Sequence, residues 1–115
     1  MNANDYQRDA MRTANTDLEP PMILAVAGLG LTGEAGEVAD IIKKHVGHGR
    51  PLDQSRLADE LGDVLWYVAR ICHSLECPMS VIMERNIAKL RARWPEGFVP
   101  GSVAAGGDTA LESQR

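Results

Sequence analysis

Twice in this chain a pair of acids is set into the apolar stripe of a helix, and that repetition limits the fold more than any other feature. Glu34-Ala-Gly-Glu37-Val38 returns 26 residues later as Glu60-Leu-Gly-Asp63-Val64. At about 100° per residue, Leu31, Val38, Ile41 and His45 fall within roughly 60° of Glu34. Leu57, Val64, Tyr67 and Ile71 surround Glu60 in the same way, with Glu37 and Asp63 flanking. Acids three residues apart are neighbours on one helix face and repel. Turning them inward without compensation is costly. The pattern therefore predicts two packed helices whose acids meet positive charge.

Basic side chains supply too little of it. Lys43 and Lys44 lie two turns beyond Glu37, and Arg70 is on another face from Glu60. A hard divalent cation with oxygen ligands is the better match, Mg²⁺ first and Mn²⁺ as a substitute. A single such motif is usually a solvated face; two, both centred on apolar stripes, point to metal. Gly33, Gly36 and Gly62 weaken the helices by about 1 kcal/mol each. In return, their lack of a side chain admits a ligand or a neighbouring backbone close to the acids.

Around these motifs four helices can be read. The first spans about Asn4 to Asn15, capped by Asn4 or Asp5, and Glu19-Pro20-Pro21 breaks the chain after it. The second spans about Met22 to His45 or Val46 and stops at Gly47-His48-Gly49-Arg50-Pro51. The third, capped by Asp53 or Ser55, runs to about Leu75. The fourth runs from about Met79 to Trp94, where Pro95 and Gly97 end it. No useful strand-period segment appears, so the fold class is all-α, an antiparallel four-helix bundle. Residues 1–98 form the domain and residues 99–115, rich in Gly, Ala and Ser from Gly101 on, a flexible tail.

Composition narrows the function classes. With 115 residues, 44% hydrophobic and a net charge of −4, the chain reads as one soluble domain without the clustered Lys and Arg that nucleic acid demands. The apolar run Met22–Leu31 falls short of the roughly 20 residues of a membrane span. Cys72 and Cys77 form no CxxC pair, and no signal segment is evident. The expectation is a reduced, cytoplasmic protein with neither nucleic-acid nor membrane partners.

The motifs resemble the MazG-like all-α nucleoside triphosphate pyrophosphohydrolases. The likeness rests on Gly30 to Asp40, Asp59 to Val68 and the closing run Asn86 to Phe98, and extends to Tyr6-Gln7 and Thr13. It implies Mg²⁺-dependent hydrolysis of a (deoxy)nucleoside triphosphate to monophosphate and pyrophosphate. Glu34, Glu37, Glu60 and Asp63 are then the metal-binding and catalytic residues, and Asn86, Lys89 and Arg93 the phosphate contacts. Gln7 and Asp40 are ligand contacts by resemblance only. Many members carry a Glu where this chain has Gly33. Water activation then falls to a metal-ligating acid or the metal itself, or activity is weak or retuned.

Two or three Mg²⁺ ions bridging the triphosphate and activating water would suit a reaction that needs mainly positioning and charge neutralisation. By spacing alone, Lys89 and Arg93 fit either one phosphate tail or a solvated basic face. Trp66 fits either base stacking or a packing role. A homodimer or homotetramer is expected, with Met22, Ile23, Trp66 and Met83 as candidate contacts. Two rival readings stay open: a carboxylate-bridged di-metal bundle, disfavoured because no His follows a Glu by three residues, and a non-catalytic helical interaction module.

Overall fold

A computed structural model describes residues 1–103. Every regular element among them is helical: α1 (Ala3–Ala10) with a 3₁₀ turn (Met11–Thr13), α2 (Pro20–His48), α3 (Gln54–Ser74) and α4 (Met79–Arg93). Most of the tail read from sequence, residues 104–115, lies outside the described residues. The chain forms two compact units, Met1–Met79 and a second beginning at Ser80.

In the first unit, α1 is capped two or three residues earlier than the sequence suggests. Asn2, not Asn4 or Asp5, accepts from the Asp5 backbone N–H at 2.8 Å, and Asp5 returns a bond to the Asn2 N–H at 3.2 Å. This reciprocal box satisfies two N–H groups that a helix start leaves unpaired. Pro20 and Pro21 do not merely break the chain; they open α2, where a missing N–H costs nothing. Gly49, at φ 66°, ends α2 in the left-handed region. Asp53 caps α3 through the Arg56 N–H at 3.1 Å, as the sequence predicts.

α2 and α3 form an antiparallel hairpin. Glu37 meets Arg56, Glu34 meets Glu60, and Gly30 meets Tyr67, so the numbers fall on one helix as they rise on the other. α1 lies against α3, with Tyr6, Ala10 and Met11 packed on a small core of Ala69, Cys72 and Met79. Gln7 locks this arrangement. Its Nε2 donates to the Cys77 carbonyl at 3.1 Å and its Oε1 accepts the Met79 N–H at 2.7 Å. α3 closes with Glu76 at φ 52°, the Cys77 N–H returning to the Cys72 carbonyl at 2.9 Å.

As one continuous helix of 29 residues, α2 is long and apolar enough to cross a membrane by length and composition, which the Met22–Leu31 run alone was not. It also carries Glu34, Glu37, Asp40, Lys43 and Lys44 and packs on α3.

The second unit contains α4 beyond its first residue. Every residue from Val81 to Ala92 is exposed, whereas Arg93 is buried. Trp94 turns back on Phe98 edge to face at 5.2 Å, across the Pro95–Gly97 turn.

Candidate metal centre

Residue Glu34 descends from α2; Glu60 and Asp63 sit one turn apart on α3. The antiparallel hairpin brings all three together, each offering an oxygen within 4.8 Å of the others. Glu34 and Glu60 are half-buried and Asp63 is exposed. The Oε2 of Glu60 is fully buried and has no hydrogen-bond partner. A carboxylate oxygen so placed is costly unless something positive reaches it.

The cluster already shows the strain of like charge. Glu34 is pushed up to about 7, first by a hydrogen bond with the Glu60 carboxyl, then by burial, then by the charges of Glu60, Asp63 and Glu37. Nearby, Tyr6 donates to the Gly62 carbonyl at 3.4 Å. Burial and then the Asp63 charge hold its phenol above its ordinary value. Three convergent oxygen donors, one of them buried and unpartnered, fit a hard divalent cation.

The fourth acid named from sequence is placed differently. Glu37 is exposed and lies 3.5 Å from the Arg56 guanidinium, outside the group of three. Arg56 was missing from the count of nearby cations. It becomes a neighbour only because the hairpin aligns the first turns of α3 with the middle of α2. Asp40 is held below its ordinary value, first by its bond with Lys44 at 2.8 Å. Arg70 is buried and donates to the Asn15 carbonyl at 3.4 Å.

A hollow of about 340 Å³ adjoins the acids, lined by Thr13, Glu34, Asp63, Trp66 and Tyr67. The indole N–H of Trp66 donates to the Ala10 carbonyl at 3.0 Å and to Thr13 Oγ1 at 2.9 Å, which fixes the ring to the 3₁₀ turn. Tyr67 packs over Gly30, where an added Cβ would stand 2.2 Å from the ring. Gly30 is thus the glycine that permits a close approach. Around Gly33, Gly36 and Gly62 a Cβ would meet nothing within 4 Å, so no neighbouring backbone uses the space expected there. Thr13 and Tyr67 were not singled out as site residues; only the order Gly30, Glu34 against Glu60, Tyr67 could have paired them.

A larger hollow of about 550 Å³, between Arg8, Met11, His73, Glu76 and Cys77, includes none of Glu34, Glu37, Glu60 and Asp63. Gln7 lines it, with both amide atoms engaged by backbone as described above. Asn86 and Lys89 line a third hollow with Ile82 and Arg85 on α4, and Arg93, one turn beyond Lys89, is buried and not part of that lining.

A family model described as the MazG nucleotide pyrophosphohydrolase domain matches residues 26–98. The Gene 37 protein of Mycobacterium phage L5 is 39% identical over 83 residues, covering 69% of this chain and 73% of that protein. No solved structure matches.

Proposed function

Since the chain belongs to the MazG nucleotide pyrophosphohydrolase family, we propose that it hydrolyses a (deoxy)nucleoside triphosphate between its α- and β-phosphates, releasing monophosphate and pyrophosphate with Mg²⁺. The observation that carries this reading is the buried, unpartnered Glu60 oxygen at the meeting point of Glu34 and Asp63.

Glu34, Glu60 and Asp63 would hold the cation, with Glu37 at the margin, where Arg56 restrains it. When bound, the cation supplies charge neutralisation for the phosphate oxygens and a more acidic water. The hollow beside Glu34 and Asp63 receives the nucleotide, Trp66 and Tyr67 forming its wall. Asn86 and Lys89, exposed on α4, offer donors to phosphate. We take residues 1–98 as the working domain, in a cytoplasmic homo-oligomer.

Products decide the matter. Incubating the purified chain with each common nucleoside triphosphate and Mg²⁺ should yield monophosphate and pyrophosphate in equal amounts, and Glu60→Gln should abolish both. Release of diphosphate and inorganic phosphate, or an undiminished Glu60→Gln rate, would refute the assignment.

A further inference from the structure

The turn that closes α3 sets two thiols side by side. The Glu76 N–H returns to the His73 carbonyl at 3.0 Å and the Cys77 N–H to the Cys72 carbonyl at 2.9 Å. With Glu76 left-handed at φ 52°, these nested bonds form a left-handed helix cap. A cap of this kind packs the residue after the left-handed one against the residue five before it. Here both positions are free cysteines. Standard bond lengths across the 2.9 Å bond hold their Cα atoms no more than about 6.8 Å apart, which is within the reach of a disulfide. We propose that Cys72 and Cys77 are a modification site, oxidised reversibly to an intramolecular bridge by exchange with a small-molecule disulfide.

Their surroundings assign the two roles. Cys77 is half-buried and lines the hollow of about 550 Å³ beside Arg8, His73 and Glu76. That volume is within the range of small-molecule sites. Cys72 is buried and packs with Ala69 and Met79. Burial first, and then the nearness of Cys77, hold its thiol above its ordinary value. A thiol kept protonated and away from solvent is a poor first nucleophile. Cys77 attacks first, and Cys72 resolves.

The exchange balances in two steps. The Cys77 thiolate attacks one sulfur of the small disulfide, whose S–S bond breaks, and the departing thiolate takes up the proton that Cys77 gave. Cys72 then attacks Cys77 Sγ, the mixed S–S bond breaks, and a second small thiol leaves with the Cys72 proton. The two cysteines lose two electrons and the small disulfide gains them. The bridge closes where α1 is anchored. Gln7 donates to the Cys77 carbonyl, and Tyr6, Ala10 and Met11 pack on the core that contains Cys72. Oxidation fastens the turn on which α1 rests and leaves Glu34, Glu60 and Asp63 chemically untouched. In a reducing compartment such a bond is transient and reports the thiol balance around it.

Mass spectrometry of the full chain, incubated with oxidised glutathione and then with dithiothreitol, tests this apart from any hydrolysis. The parent should become two hydrogens lighter, carry no glutathione, and regain its mass on reduction. Cys72→Ser should stall with one glutathione on Cys77. Cys77→Ser should react at least about tenfold more slowly than Cys72→Ser, because the thiol it keeps is buried. The parent's own mass decides whether the bridge closes, so that readout stands even if a variant folds poorly. A parent that retains glutathione, couples to a second chain or stays unmodified would overturn the proposal, as would equal rates in the two variants.

Discussion

Glu34 on α2 and Glu60 on α3 are joined by a hydrogen bond between their carboxyl groups, and this contact holds a proton on Glu34 up to about pH 7. In the metal-free protein the folded state therefore binds a proton that the unfolded chain, near 4.5, has released. Stability from this group is complete below about 4.5 and is lost as pH rises through about 7. With chelator present, the melting temperature of the parent should fall relative to that of Glu34→Gln across this window. A gap between the two that does not change with pH would contradict the contact.

Substitutions at Gly30 and Gly33 should have opposite signs. Gly30→Ala drives a Cβ into the Tyr67 ring, and overpacking of this kind costs about 1–3 kcal/mol. Gly33→Ala meets open space in a helix interior and should stabilise by up to about 1 kcal/mol. Urea midpoints of the two variants against the parent check both signs.

Trp66→Phe removes the donor shared by Ala10 and Thr13 while keeping an aromatic ring. Ala10 keeps the Thr13 Oγ1 donor at 3.0 Å, so the variant loses one hydrogen bond without baring the carbonyl, a cost of about 0.5–1.5 kcal/mol. The loss should be concentrated in α1, so hydrogen exchange at Tyr6 to Ala10 should quicken more than exchange in the α2–α3 hairpin. Uniform quickening would mean that the indole bond does not hold α1.

Much of this architecture is legible in the letters because local chemistry settles it. Asp53 before α3, Gly49 after α2 and Pro95 after α4 act within a turn, and the structure places the helix boundaries within a few residues of those signals. The inward setting of Glu34 and Glu60 follows from their apolar neighbours alone, and the structure brings both to one cluster. Relationships between helices are not written locally. The register that hands Glu37 to Arg56, presses Gly30 against Tyr67 and ties Trp66 to the 3₁₀ turn depends on how two helices align. Asn2 does not stand out as the cap because Asn4 and Asp5 offer the same chemistry two and three residues later. Gln7 carries a donor and an acceptor that suit a ligand as well as a backbone, and only the positions of Cys77 and Met79 show which groups take them.

The central claim is that Glu34, Glu60 and Asp63 form a cation site. Isothermal titration of the nucleotide-free protein with Mg²⁺, alongside Glu60→Gln, tests it most directly. The parent should bind saturably, and the variant, keeping shape but losing the buried oxygen's charge, should bind at least about tenfold more weakly. Equal affinity in both proteins, or no binding by the parent, would contradict it.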